Sequence, residues 1–126
     1  MLYTHGYELA TVPPNPRWHI LGIILENQRR PIEEYLNQAD ADGFIAFVNL
    51  LLKNEPFQQM GKRLKKLRHV QNVFQITVDK DRYLGFRCVQ SLILTNAFRK
   101  DAKESPPEVI QRCVNLGNLY IAQHGS

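Results

Sequence analysis

The feature that most constrains this chain is a change of hydrophobic period midway along it. In the first half, apolar residues recur at helical spacing, most clearly in "DADGFIAFVNLLLK", where Phe44, Phe47 and Leu51 share one helix face. In the second half, "NVFQITVDKDRYLGFRCVQSLILTNAF" is rich in β-branched and aromatic residues, with turn signals near 79–81 and 89–91. This change predicts helices followed by three consecutive antiparallel strands.

Shorter patterns supply the remaining elements. The apolar run in "RWHILGIILEN" predicts a strand, and Pro31 suits the first position of a short helix that follows it. Asp40 or Asp42 can cap the next helix, which Pro56 ends. Ser105–Glu108 predicts a capping box, with the serine as N-cap and the first proline as the first helical residue. The basic segment "QQMGKRLKKLRHVQ" fits either a short helix or an extended connection.

The predicted order is β-α-α-β-β-β-α, a small α+β domain. The 126 residues suffice for one domain, which we place at 18–126, after an extended N-terminal extension at 1–17. No apolar run is long enough to span a membrane, and the first residues do not resemble a secretory signal, so we expect a cytoplasmic protein. Cys88 and Cys113 are expected to be reduced thiols.

Charge is distributed unevenly along the chain. Residues 1–55 carry four basic and seven acidic side chains, whereas residues 56–103 carry eleven basic and three acidic ones. The second segment therefore has a local net charge of +8, compared with +4 for the whole chain. An excess of this size favours a polyanionic partner such as RNA, or an acidic protein.

Four segments follow one another along the chain: "RWHILGIILENQRRPIEEYL", "KKL", "DRYLGF" and "LILTNAFRKDAKESPPE". In this order they resemble the RelE/ParE toxin superfamily, in particular its HigB-like, phage-derived branch of type II toxin–antitoxin systems. The resemblance implies a twisted antiparallel sheet of about four strands with helices packed on one side. It also implies a ribosome-dependent mRNA endoribonuclease that needs no metal or other cofactor. Its expected partners are mRNA on the ribosome and a cognate antitoxin, a helix-turn-helix protein encoded alongside it.

The resemblance also implies roles for individual cations. A metal-free cut needs a base for the 2′-OH, cations for the charged phosphorane and an acid for the leaving oxygen. Arginine stays charged and suits a phosphate clamp, whereas lysine can act in proton transfer if its pKa is depressed. The expected catalytic residues are Arg82, Lys100 and Lys66. The expected RNA-binding residues are Lys62, Arg63, Lys65, Arg68, Arg87 and Arg99.

Several positions depart from the family pattern and leave alternatives open. Asn96 stands where the family has histidine, Thr77 where it has arginine, and Asp101 and Glu104 where it has lysine. His69 is a substitute acid or base that the basic segment offers. These departures keep open the alternative of a non-catalytic module of the same fold that binds RNA, the ribosome or a protein partner. A third alternative is a gyrase inhibitor of the ParE type.

Overall fold

The computed structural model describes residues 4–9, 18–53, 63–100 and 106–125. Within these ranges the chain forms six strands and three helices. They are β1 His5–Glu8, β2 His19–Ile24, α1 Pro31–Leu36, α2 Ala41–Lys53, β3 Leu64–Lys66, β4 Phe74–Val78, β5 Asp81–Cys88, β6 Ser91–Arg99 and α3 Pro107–His124. The α+β class and the meander of three strands, β4 to β6, are confirmed.

The six described strands form one sheet in the order β1-β2-β6-β5-β4-β3. β2 and β6 pair in parallel, and every other neighbouring pair is antiparallel. The prediction of about four strands, all antiparallel, is therefore wrong in both number and direction. β1 lies within the predicted N-terminal extension. β3 lies in the basic segment, for which the sequence allowed either a short helix or an extended connection, and is extended. The parallel pair arises because β2 and β6 are joined by a long crossover rather than by a hairpin.

Helices cover both faces of the sheet, which corrects the expectation that they pack on one side. Leu92 and Leu94 of β6 pack in one cluster with Phe44 of α2, whereas Ile93 packs in another with Tyr120 of α3. Successive strand residues point to opposite faces, so the two clusters lie on opposite sides of the sheet. We call these sides the α1/α2 face and the α3 face. β6 is consequently apolar at consecutive positions, as expected of a strand buried on both sides.

A β-bulge in β6 sets which side chains point to each face. Leu84 of β5 opposes Asn96, but its neighbour Gly85 opposes Leu94, so Thr95 is the extra residue. The bulge reverses the alternation along the rest of β6. As a result, Asn96 and Phe98 point to the α3 face rather than to the opposite one.

The helix starts follow local chemistry. Pro31 lies in the first turn of α1, and Gly43 N donates to Asp40 Oδ1 at 2.9 Å, so Asp40 caps α2 as expected. The predicted start of α3 is wrong by one residue: Pro106 is the N-cap, without a side-chain cap, and Pro107 is the first helical residue. A following proline disfavours the helical region for the residue before it, and Pro106 is accordingly extended, with φ −60° and ψ 134°. The predicted serine cap and Pro56 lie outside the described residues.

Candidate nucleic-acid interface

Strand register assigns each candidate side chain to one face of the sheet, because directly opposed residues on neighbouring strands share a face. Thr77, Arg82 and Phe98 are opposed across β4, β5 and β6. Phe98 belongs to the same apolar cluster as Val109 of α3. Arg82 therefore lies on the α3 face.

The same reasoning separates two adjacent lysines of β3. Lys65 is opposed to Gln75, which is opposed to Leu84, a member of the α3 cluster. Lys66 is opposed to Phe74, which packs on the α1/α2 side. From strand spacing, the Cα atoms of Lys65 and Arg82 are about 12 Å apart on one face. The structure therefore brings Lys65, and not Lys66, to the side of the sheet that carries Arg82.

Lys100 extends this group beyond the end of β6. Its backbone N donates to Lys80 O at 2.8 Å, which continues the ladder past Arg99. Counting on from Phe98, the alternation assigns Lys100 to the α3 face. It assigns Arg99 to the α1/α2 face, where Arg99 is directly opposed to Asp81.

These positions define one polar surface beside α3, which we call the Arg82 patch: Lys65, Gln75, Thr77, Arg82 and Lys100. α3 packs on β5 and β6, so the outer strands β3 and β4 extend beyond it. Lys65 is exposed, Arg82 is half-buried and Gln75 is buried, with its Nε2 3.4 Å from Thr77 Oγ1. Neither Lys65, Arg82 nor Lys100 forms an ion pair with a carboxylate in the described part of the chain.

The guanidinium of Arg82 is held by main-chain oxygens of the β4–β5 turn. Its Nη1 donates to Asp79 O at 2.7 Å and lies 3.2 Å from Asp81 O. Its Nε and Nη2 donate no hydrogen bond within the described residues. Carbonyl oxygens fix the orientation without cancelling the charge, so an oriented cation with free donors remains. Such a group is suited to a phosphate, which arginine can bind through two parallel N–H donors.

The other predicted cations are not part of this patch. The Arg63 guanidinium lies 4.1 Å from the ring centre of Phe47, an intramolecular cation–π contact. Arg87 points to the α1/α2 face near the far end of β5, and Arg68 is exposed in the turn that follows β3. Lys62 lies outside the described residues. Arg68 and Arg87 are therefore at the end of the sheet opposite to Arg82.

Asn96, which replaces the histidine of the family pattern, has a structural environment. It is buried, its Nδ2 donates to Val109 O at 3.0 Å, and its Oδ1 lies 2.6 Å from the Thr95 hydroxyl. Asn96 therefore joins the bulge of β6 to the first turn of α3. His69 is exposed in the turn after β3, also away from Arg82. The described residues thus place no histidine in the patch.

Two members of this region were missed by sequence reasoning. Gln75 reads as a strand residue without special function, and only its register with Lys65 assigns it to the patch. Lys80 reads as a turn residue, yet its backbone pairs with Lys100 and it adds a cation at the same end of the sheet. A lysine in a two-residue turn next to a candidate arginine is a signal that could have identified it.

A groove of about 960 Å³ does not coincide with the patch. It lies between α3 and the β2–α1 connection, with Glu26, Glu108 and Arg112 among its lining residues. None of the eight predicted site residues that the structure describes lines it. The patch is the stronger candidate because it combines free cationic donors, whereas the charged residues of the groove have mixed signs.

Comparison with known proteins adds no further assignment. The sequence matches no protein-family model and no curated protein. In the described ranges, no helix is both long and apolar enough to cross a bilayer. The function is therefore inferred from the sequence motifs and from the geometry of the Arg82 patch.

Proposed function

We propose that this chain is a toxin-type endoribonuclease that binds mRNA on the ribosome through the Arg82 patch and is held inactive by an antitoxin. The observation that carries the proposal is the position of Arg82. Its guanidinium is oriented by two carbonyl oxygens, and its Nε and Nη2 have no acceptor among the described residues. Arg82 also shares its face with Lys65 and Lys100. The order of motifs that resembles the RelE/ParE superfamily supports the same proposal.

In this proposal the cations divide the work of a metal-free cut. Arg82 donates to the non-bridging oxygens of the scissile phosphate and stabilises the phosphorane. Lys100 adds positive charge on the same face. Lys65 takes the role first assigned to Lys66, because the side chain of Lys66 points to the opposite face. Lys65 then orients the RNA strand or takes part in proton transfer.

A second candidate is a non-catalytic RNA-binding module, and one observation favours it. The amide of Asn96 is buried and bonded to the first turn of α3, so this position supplies no acid or base. RNA binding would then survive without cleavage. The Arg82 patch is common to both candidates, and only the chemical step distinguishes them.

The test is cleavage of mRNA by the purified full chain in the presence of translating ribosomes, with mRNA ends mapped by primer extension. We expect ribosome-dependent cuts, and a rate about 100-fold or more lower for Arg82→Ala, as when one oxyanion donor is removed. Arg87→Ala is the matched control, since it removes an exposed arginine at the other end of the sheet, and it should cut like the wild type.

Each other outcome has a definite meaning. RNA binding that needs Arg82 but yields no cuts would establish the non-catalytic module. Absence of RNA binding in the wild type, free or on ribosomes, would refute both candidates. DNA-damage signalling with intact mRNA after induced expression would instead indicate a gyrase inhibitor.

A further inference from the structure

One hydrogen bond ties α1 to the start of β5. Tyr35 Oη donates to Asp81 Oδ1 at 2.5 Å, and only 9% of Asp81 is exposed. A nearly buried carboxylate requires such a partner, because leaving it without one is costly. This bond lies on the α1/α2 face, the side of the sheet opposite to the Arg82 patch.

Asp81 also contacts Arg82, but through its backbone. Its carbonyl oxygen lies 3.2 Å from Arg82 Nη1, next to the 2.7 Å bond that Nη1 makes to Asp79 O. Adjacent strand residues point to opposite faces, so the Asp81 side chain is held by α1 while the turn carbonyls hold the Arg82 guanidinium. The β4–β5 turn is therefore the element that the two contacts have in common.

We propose that Tyr35 is a positioning residue: through Asp81 it fixes the β4–β5 turn, and thereby sets the orientation of the Arg82 guanidinium on the opposite face of the sheet. The inference rests on the proposed function for its effect on RNA. The orientation of Arg82 itself is a separate property that can be measured without RNA.

A neighbouring tyrosine provides a matched control. Tyr83 packs edge-to-face against Tyr35, with ring centres 5.6 Å apart, and is fully buried. Within the described part of the chain its hydroxyl has no hydrogen-bond partner, and burial raises its pKa, so the phenol stays neutral. Tyr35→Phe and Tyr83→Phe each remove one oxygen from the same aromatic pair. Only the first removes the bond to Asp81.

The first experiment measures the Arg82 side chain directly, by NMR of its Nε–Hε group in the RNA-free protein. In the wild type we expect a high order parameter for this group, because the turn carbonyls hold Nη1, and the same value in Tyr83→Phe and in Asp81→Asn, which keeps an oxygen acceptor for Tyr35. In Tyr35→Phe and Asp81→Ala the order parameter should fall. An unchanged Arg82 signal in a folded Tyr35→Phe protein would overturn the inference.

The second experiment measures affinity for a labelled single-stranded RNA oligonucleotide by fluorescence anisotropy. We expect Tyr35→Phe to weaken binding about fivefold, because Arg82 remains present but is less well oriented, which costs about as much as one ordinary hydrogen bond. Tyr83→Phe should leave the affinity unchanged. In an Arg82→Ala background, Tyr35→Phe should have no further effect. An equal effect with and without Arg82 would show that Tyr35 does not act through it.

The two experiments also separate the inference from the proposed function. If the wild type binds no RNA but Tyr35→Phe still releases the Arg82 side chain, the positioning role holds and the proposed function fails. If Arg82→Ala abolishes binding while Tyr35→Phe changes neither the affinity nor the NMR signal, the proposed function holds and the positioning role fails.

Discussion

The two faces of the sheet carry similar strand sequences but have different surroundings. On the α1/α2 face, Trp18, Ile20, Phe44 and Tyr83 belong to one fully or almost fully buried cluster. On the α3 face, the one helix among the described residues covers β5 and β6 and leaves the outer strands beside it. The exposed and half-buried side chains of the Arg82 patch lie there, next to the buried Gln75. Coverage by helices, more than local composition, therefore determines where this protein can present charge to a partner.

Lys65 and Lys66 show this difference at the scale of single residues. They are adjacent, both exposed and both on an edge strand. Their side chains nevertheless point to opposite faces, and only Lys65 lies on the face of Arg82. A basic pair in a strand therefore supplies one cation to a surface, not two.

The largest expected effect is on the α1/α2 face. Phe44 is fully buried against Tyr83, with ring centres 4.3 Å apart. Phe44→Ala should lower the free energy of unfolding by about 3–5 kcal/mol, because it leaves a cavity in a packed core. Urea denaturation measures this change. The control Lys65→Ala, in the Arg82 patch on the α3 face, should change the free energy of unfolding by less than about 0.5 kcal/mol. Equal losses would contradict the contrast between the faces.

The second effect is a pH dependence of the free energy of unfolding, caused by a thiol on α3 that is buried against the sheet. Burial raises the pKa of the Cys113 thiol to about 11, above its ordinary value of 9.0. A raised pKa means that the unfolded chain loses its proton first as the pH increases. The stabilisation is complete below pH 9, and about 2–3 kcal/mol should be lost as the pH rises towards 11.

Urea denaturation at several alkaline pH values tests this expectation. Cys113→Ala is the informative variant: it should be less stable at neutral pH, because a buried group is removed, but should lose less stability between pH 9 and 11. An identical alkaline loss in the two proteins would show that Cys113 does not titrate as described.

A smaller effect distinguishes the two lysines of β3. Lys65→Ala should weaken binding of single-stranded RNA about fivefold and reduce the dependence of log Kd on log salt by about one phosphate contact. Lys66→Ala removes the same charge one residue away, on the opposite face, and should weaken binding less. If binding depended only on non-specific electrostatic attraction, the two variants would weaken it equally. Anisotropy titrations at three salt concentrations decide between these outcomes, and equal losses would contradict the assignment of the patch to one face.

The smallest effect is expected at Tyr83. Its buried hydroxyl has no hydrogen-bond partner among the residues that the structure describes, which is costly in a folded protein. Tyr83→Phe should therefore raise the free energy of unfolding by about 0.5–1 kcal/mol, visible as a higher Tm in calorimetry. Tyr35→Phe makes the same chemical change but breaks the bond to Asp81, so it should lower the Tm. If Tyr83→Phe lowers the Tm as much, the hydroxyl must have a role that its surroundings do not explain.

Local chemistry made part of the fold predictable from the sequence. Pro31 and Asp40 mark helix starts through contacts within a few residues, and the meander of β4 to β6 has turns at 79–80 and 89–90, near the turn signals in the sequence. The tandem prolines marked the start of α3 to within one residue. The second proline disfavours the helical region for Pro106, so the helix begins at Pro107.

Long-range pairing determined what the sequence could not show. The parallel pairing of β2 with β6 brings together residues about 70 positions apart, and no local pattern specifies it. The bulge at Thr95 depends on how β6 pairs with β5, and it reverses the faces of Asn96 and Phe98. The candidate site had the same limit: motifs named Arg82, Lys65 and Lys66, but only the register of three strands assigns Lys65, and not Lys66, to the face of Arg82.

The most direct test of the central claim is chemical-shift mapping of the backbone amides during titration with a short single-stranded RNA. The Arg82 patch predicts that the largest shifts fall at Lys65, Thr77, Arg82 and Lys100. The amides of Arg68 and Arg87, at the other end of the sheet, should change little. Shifts concentrated around Arg68 and Arg87, or no shifts at any RNA concentration, would contradict the account.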